Sequence, residues 1–166
     1  YLGTSNFGPL NTTHSGNACW DINLTMPYFN LAQAVLTSPI FDINPYNIIT
    51  IQFWINYSAE SNADGMFVEY STNGNTWQRL GSINDPLGTN WYNSNLYQSN
   101  EGWSGISNGW QSVSYEYTSP WGNNYLQLRF KFISDFNLVD AGFSLDDINI
   151  TGVTGVSENS SEAHIT

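Results

Sequence analysis

The sequence predicts an all-β protein, and more specifically a two-sheet antiparallel jelly-roll β-sandwich. Three observations predict it: short segments rich in Val, Ile, Thr and aromatic residues alternate in polarity, Gly, Asn and Pro separate them, and helical periodicity is nearly absent. With 166 residues, of which 40% are hydrophobic and 16% aromatic, the chain is long enough to bury the core of one domain.

Eight segments have the length and composition of strands. The first contains Cys19, the single cysteine. This residue is expected to be a small apolar core residue rather than a nucleophile, because no histidine neighbours it in the sequence. The third alternates cleanly, since Ile51, Phe53 and Ile55 share one face. The predicted strands span residues 19–24, 34–38, 48–57, 67–71, 77–82, 110–117, 125–132 and 143–150.

The later strands are bounded by equally specific signals. Asn73-Gly74 is a strong hairpin turn signal and joins the fourth strand to the fifth. Residues 84–108 between the fifth and sixth strands are long, polar, Gly-rich and aromatic, and such segments are usually functional or packed on themselves. In the last strand, neighbouring side chains should face opposite sides, so one of Asp146 and Asp147 is expected to point inward.

The charge balance limits the partners. Three Lys and Arg against 14 Asp and Glu give a net charge of −11 and a sequence pI near 4.1. Nucleic acid and anionic membranes are therefore not expected to bind, whereas a neutral polysaccharide or surface glycan and divalent cations are. No apolar run approaches the roughly 20 residues that would span a bilayer, so membrane insertion is not expected.

Several motifs occur in a fixed order along the chain. They are Asn17-Ala18-Cys19-Trp20, Leu36-Thr37-Ser38-Pro39, Phe53-Trp54, Phe67 to Gly74 before Trp77, Gly102-Trp103-Ser104-Gly105 before Gly109-Trp110, and the closing Gly142-to-Ile148 strand. In this order they resemble the MAM-like jelly-roll modules of secreted, type IX-exported Bacteroidota surface proteins and enzymes. The closing strand is the most specific of them.

The resemblance implies a secreted or outer-cell-surface module of a longer polypeptide, often with a structural calcium ion. Residues 1–152 are then the β-sandwich, and residues 153–166 are a linker or tail. The tail from Gly155 to Asn159 resembles the linker before a C-terminal sorting domain that this sequence does not include. Because the family has no common ligand, the resemblance supports a binding or adhesion role and names no substrate.

Calcium is the expected cofactor because an inward carboxylate needs a partner and this chain has few cations. Asp146 and Asp147 are the first candidates, and Asp140 is a further one. The predicted metal ligands are Asp146, Asp147, Asp64 and Asp21.

Aromatic side chains in loops, and Trp54 with Arg129 on outward strand faces, are the candidates for sugar binding. If the sandwich has one concave outer face, Trp54, Gln127, Arg129 and Lys131 are expected to line it together. The predicted ligand-binding residues are Trp54, Trp91, Tyr92, Tyr97, Trp103, Trp121 and Arg129.

The function predicted first is a noncatalytic carbohydrate-binding module that targets a parent protein to a neutral polysaccharide. The alternative is a calcium-stabilised adhesion or spacer domain that binds a protein partner. An enzyme is not expected, because no spacing enforces a catalytic carboxylate pair and His14 is a poor base for a Ser-His-Asp arrangement.

Overall fold

The computed structural model describes residues 1–4, 6–8, 11–120, 123–153 and 161–164. Within them the chain forms β-strands and a short 3-10 turn at Tyr97–Ser99. The strands are β1 (Leu2–Gly3), β2 (Cys19–Asp21), β3 (Gln33–Thr37), β4 (Phe41–Asp42), β5 (Ile48–Ser58), β6 (Gly65–Ser71), β7 (Gln78–Arg79), β8 (Gly88–Thr89), β9 (Ser94–Leu96), β10 (Asn100–Gly102), β11 (Gln111–Thr118), β12 (Tyr125–Ile133), β13 (Gly142–Val153) and β14 (Ser161–His164).

Two antiparallel sheets pack as a sandwich, which confirms the predicted fold class. The first sheet has the order β1-β2-β13-β5-β11-β8, with β14 also paired to β13. The second has the order β3-β12-β6-β7, with β4 also paired to β12. Strands β9 and β10 form a separate small hairpin. As expected for this architecture, the early strand β2 pairs with the late strand β13.

The alternating stripes form the core between the sheets. Ile51, Phe53 and Ile55 of β5 are fully buried, and Leu126 and Leu128 of β12 face them from the second sheet. Burying each such side chain contributes roughly 1.5–3 kcal/mol relative to leaving it in water. The same alternation directs the intervening residues of β12 to the outer face of the second sheet.

A β-bulge corrects the prediction that one of the two adjacent carboxylates points inward. Asp146 lies opposite Trp54 on β5, but Asn149 lies opposite Gln52, so β13 carries one extra residue in this interval. Asp147 takes up the extra position with a φ of 48°. Asp146 therefore stays on the outer face with Trp54, and Ile148 resumes the core stripe without either carboxylate entering it.

The long segment between β7 and β11 folds back into the core rather than remaining a surface loop. Trp103 extends the second sheet by an isolated bridge to Met66 of β6. Gly102 permits this approach, since a Cβ at this position would lie 2.2 Å from the Met66 carbonyl oxygen.

The C-terminal strand was not among the eight predicted segments. Ser161–His164 pairs with residues 149–152 of β13. Residues 154–160 and 165–166, which fall in the predicted tail, lie outside the described residues. The division into a module and a tail stays a prediction. No helix in the described part of the chain is long and apolar enough to cross a membrane.

Candidate functional site

Three carboxylates meet at one end of the sandwich, and we call them the acidic triad: Glu60, Asp64 and Asp135. Glu60 and Asp64 lie in the turn between β5 and β6, where the Asp64 amide donates to the Glu60 carbonyl at 3.1 Å. Asp135 follows β12, and the pairing of Gly65 with Ile133 brings the two chain segments side by side.

Asp64 is the centre of the triad, since its side chain is fully buried. One oxygen, Oδ1, accepts a 2.7 Å hydrogen bond from the Asp135 amide. The other oxygen, Oδ2, is buried and has no donor in hydrogen-bond geometry among the described residues, although the Tyr28 hydroxyl is close enough to lower the pKa of the Asp64 carboxyl. A buried carboxylate oxygen with no donor is costly unless a proton or a cation compensates it.

The remaining triad oxygens hold the loop that follows β12. Asp135 accepts hydrogen bonds from both the backbone amide and the side-chain amide of Asn137, at 2.7 and 2.9 Å. Glu60 Oε2 accepts from the Leu138 amide at 3.2 Å. Any ion at the triad would therefore also be coupled to the position of this loop.

Burial raises the pKa of the Asp64 carboxyl, and the charges of Asp135 and Glu60 raise it further. The Tyr28 hydroxyl nearby and the Asp135 amide act in the opposite direction and lower this pKa. Neither of the described ion pairs involves the triad. The site therefore concentrates negative charge that no Lys or Arg of the described residues neutralises.

The triad could hold a metal ion. One oxygen from each of the three carboxylates lies within 4.8 Å of the others. Oxygens that bind one Ca²⁺ at about 2.4 Å can be at most twice that distance apart, so the three fit a single coordination shell. The donors are all carboxylate oxygens, which suit a hard cation rather than zinc.

Of the four predicted metal ligands, only Asp64 belongs to the triad. Asp146 instead accepts from the backbone amides of His14 and Ser15 at 2.9 and 3.0 Å. Asp147 accepts from the Ser15 hydroxyl and contacts His14 Nδ1, both at 2.6 Å. These hydrogen bonds lower the pKa of the Asp147 carboxyl.

The other two acids that were considered also have protein partners. Asp21 accepts from the Ser144 hydroxyl at 2.7 Å and from the Asn23 amide at 2.9 Å. Asp140 accepts from the Ser58 hydroxyl at 2.7 Å. The structure thus supplies hydrogen-bond donors to the predicted metal ligands Asp21, Asp146 and Asp147, and also to the further candidate Asp140.

Three predicted sugar-binding aromatics lie in the core, so their expected exposure is wrong. Trp91, Tyr92 and Trp103 are 7%, 3% and 1% exposed. Their rings contact one another, with centroids 4.8–5.1 Å apart. The Trp91 and Trp103 indole N–H groups donate to backbone carbonyls, and the Tyr92 hydroxyl donates to the Val68 carbonyl. Their burial leaves no ring face for a ligand.

The expected joint face of Trp54 and Arg129 is also wrong, because the two residues lie on different sheets. The His14 ring stacks on Trp54 with centroids 3.7 Å apart and an interplanar angle of 16°. The N-terminal segment therefore covers the outer face of the first sheet at this point. Tyr97 is half-buried in the 3-10 turn, and Trp121 lies outside the described residues.

Arg129 lies at the centre of a polar surface on the outer side of the second sheet, which we call the basic face. The register places Thr37, Arg129, Glu69 and Arg79 in one row across β3, β12, β6 and β7. The Arg129 guanidinium lies over the Trp77 ring, 4.3 Å from its centroid, and its Nε donates to Glu69. The basic face consists of Thr37, Glu69, Trp77, Arg79, Arg129 and Lys131.

All three cationic side chains of the sequence lie on this face. Lys131 is two positions from Arg129 on the same strand face, and its ammonium nitrogen lies 5.7 Å from the Phe67 ring centroid. Arg79 and Lys131 form no ion pair with a described carboxylate, although the chain has 14 acids.

The predicted site residues do not include Glu60 and Asp135 of the triad, or Trp77 and Arg79 of the basic face. Acids that flank the ends of neighbouring antiparallel strands lie together at one end of the sheet, so the triad is predictable once it is known that β6 pairs with β12. Composition and periodicity do not reveal that pairing.

No protein-family profile matches the chain, and no curated protein is significantly similar to it. The structure supports an all-β two-sheet sandwich, and the closer resemblance to MAM-like modules stays a prediction.

Proposed function

We propose that this chain is a noncatalytic polysaccharide-binding module of a secreted or cell-surface protein, and that the basic face is its binding surface. The observation that carries the proposal is the row of side chains across the second sheet with Trp77 and Arg129 at its centre. It combines an aromatic ring with hydrogen-bonding groups on the outer face of the second sheet.

The chemistry of sugars suits this surface. A pyranose ring presents apolar C–H groups on its faces and hydroxyl groups at its edge, so it binds where a ring and polar groups adjoin. Trp77 is half-buried and anchored by Arg129. The Arg129 terminal nitrogens donate no hydrogen bond to a described residue. Neighbouring Thr37 and Gln127 add hydroxyl and amide groups.

The two sheets differ in accessibility. Along β12 the outward residues Gln127, Arg129 and Lys131 are all partly exposed. On the first sheet, Trp54 lies beneath His14, and Asn56 is buried under Ser107, whose hydroxyl donates to it at 2.8 Å. The aromatic ring on the first sheet is thus covered, whereas Trp77 lies beside partly exposed polar groups on the second sheet. The net charge of −11 favours a polymer that is neutral over most of its length.

Calcium at the acidic triad is the second part of the proposal, and its role is structural. The orphan Asp64 Oδ2 and the uncompensated charge of three carboxylates support it. Ca²⁺ accepts irregular oxygen coordination more readily than Mg²⁺, which requires near-octahedral geometry. Bound calcium would offset two of the three negative charges of the triad and secure the loop that Glu60 and Asp135 already hold.

Calorimetry over a panel of soluble neutral polysaccharides tests the binding proposal. We expect at least one to bind the wild-type chain, and Trp77→Ala to weaken that binding about tenfold or more. Trp54→Ala is the matched control, since it removes an aromatic ring from the opposite sheet, and it should retain binding. If no polysaccharide binds, the proposed function is wrong.

A second candidate function, docking to a protein partner, is favoured by one observation. Exposed apolar side chains cluster on the two loops beside the acidic triad, which are joined by a 2.6 Å hydrogen bond from the Leu31 amide to the Asp135 carbonyl. Patches of this kind often mark protein contacts. These side chains are Phe29, Leu31, Phe136, Leu138 and Val139. Sedimentation velocity with and without calcium would reveal self-association, which Phe136→Ser should abolish.

A further inference from the structure

The distribution of charge over the molecule is uneven in a way that its net charge conceals. The three cations of a chain with net charge −11 all lie on the basic face. Neighbouring strands are about 4.8 Å apart, and residues two positions apart on a strand are about 7 Å apart. Arg79 and Lys131 are therefore each within roughly 10 Å of Arg129 in the backbone.

These cations retain most of their capacity to bind an anion. Glu69 accepts from Arg129 Nε, which leaves the two terminal guanidinium nitrogens without a described acceptor. Arg79 and Lys131 have no carboxylate partner among the described residues. Counting Glu69, the basic face carries a local charge of about +2, whereas the rest of the molecule is strongly acidic.

We propose that the basic face contains a subsite for a sugar carboxylate, so that the ligand is a mostly neutral polysaccharide bearing isolated uronic acid residues. This inference rests on the proposed function and narrows its ligand class. The planar Arg129 fork suits a carboxylate, and Arg79 and Lys131 add charge from either side. Trp77 offers the adjoining sugar an apolar contact.

The negative charge of the whole molecule and the positive charge of the basic face together favour a polysaccharide whose carboxylates are far apart along its chain. A dense polyanion would place many charges against the acidic remainder of the molecule, which repels them. A single carboxylate on a neutral chain meets only the basic face, because salt screens charges more than about 8 Å away at physiological ionic strength. An acidic peptide would gain less from the Trp77 ring and the hydroxyl and amide groups around it.

The test compares glucuronate-substituted xylo-oligosaccharides with the same oligosaccharides after reduction of the carboxyl group to an alcohol. Calorimetry on the whole chain measures both affinities. We expect the acidic form to bind about tenfold tighter or more, and the double variant Arg79→Gln/Lys131→Gln to lose most of this preference. The control Gln52→Glu also makes the molecule more negative, but on the first sheet, and should keep the preference.

Each outcome is decisive. Equal binding of the acidic and reduced forms overturns the carboxylate subsite and leaves the polysaccharide proposal in place. No binding of either form, or of any neutral polysaccharide, overturns both. A preference that persists in the double variant overturns the roles assigned to Arg79 and Lys131, and one that also persists in Arg129→Gln overturns the basic face as the carboxylate subsite. Tighter binding of an oligoglutamate peptide than of the acidic oligosaccharide would overturn the assignment to a glycan.

Discussion

At the scale of single residues, Asp64 is the most unusual group in the structure. It is fully buried, one carboxylate oxygen has no donor, and two further carboxylates lie within coordination distance. Sequence reasoning included Asp64 among the calcium ligands but could not choose its partners. The choice depends on which strands pair, whereas spacing along the chain separates Asp64 from Asp135 by 71 residues.

Replacing Asp64 by Asn should abolish most of the stabilisation by calcium. A ligand present at a hundred times its dissociation constant stabilises the folded state by about 2.7 kcal/mol, or roughly 5–10 °C in Tm for a chain of this length. The wild-type chain should show such a rise in calcium relative to chelator, and Asp64→Asn a much smaller one. Differential scanning calorimetry measures both.

The same variant has a second expected effect. In chelator, Asp64→Asn should be at least as stable as the wild type, because it removes a buried charge that two acids repel while Oδ1 still accepts from Asp135. Asp42→Asn, at an exposed position away from the triad, is the control and should keep the full calcium response. Equal calcium responses in all three proteins would exclude the triad as the ion site.

The charged Asp147 carboxylate stabilises the folded state, whereas the buried charge of Asp64 destabilises it in the absence of an ion. Hydrogen bonds from Ser15 and His14 hold the pKa of its carboxyl below the ordinary value of 3.8. A lowered pKa in the folded state means that the stabilisation is complete above pH 3.8 and is lost as the pH falls through the folded-state pKa. Because the side chain is 39% exposed, the contribution is at most about 1 kcal/mol.

Asp147→Asn should therefore be slightly less stable than the wild type at pH 7 and equal to it near pH 2. Asparagine also tolerates the positive φ of this bulge position, so the comparison isolates the charge. Urea denaturation at the two pH values measures the difference. A gap between the two proteins that stays constant over this range would contradict the role assigned to the carboxylate.

At the scale of elements, the structure of residues 84–108 differs most from the expectation based on the sequence. Its aromatic residues suggested a binding loop, but the segment also had the composition of a loop that packs on itself. The structure shows the second arrangement. The ring centroid of Trp103 lies within 4.9 Å of those of Trp91 and Tyr92, and its indole N–H donates to the Asn90 carbonyl. An aromatic residue in a polar segment does not by itself reveal whether it faces a ligand or the core.

Trp103→Ala should therefore destabilise the fold by about 3–5 kcal/mol, as expected for removal of a buried aromatic ring. Phe136→Ala is the control, because this ring is 66% exposed and its loss should change stability by less than about 0.5 kcal/mol. Urea denaturation measures both free energies of unfolding. A loss below about 1 kcal/mol for Trp103→Ala would show that the segment is not part of the core.

Strand β13 shows why strand identity is easier to predict than side-chain direction. The run from Gly142 to Ile150 is recognisable as a strand from its composition, and it pairs with β2, as expected for a jelly roll, and with β5. One extra residue at Asp147 reverses the direction of everything that follows. No residue type in the run predicts the bulge, because two adjacent aspartates are as compatible with a regular strand as with a bulged one.

At the scale of the whole molecule, the fold class followed from alternation in residues such as Ile51, Phe53, Leu126 and Leu128, which depends only on local pattern. The candidate sites did not follow, because they combine residues from separate strands. The three cations are scattered along the sequence at positions 79, 129 and 131 and become one surface only after β6, β7 and β12 pair. Net charge alone had suggested no attraction for anions.

The most direct test of the central claim is amide chemical-shift mapping by NMR during titration with the oligosaccharide that binds most tightly in calorimetry. We predict that the largest shifts occur at Thr37, Glu69, Trp77, Arg79, Arg129 and Lys131 on the outer side of the second sheet. Shifts confined to His14 and Trp54, or to the loop from Phe136 to Val139, would contradict the assignment of the basic face as the binding surface.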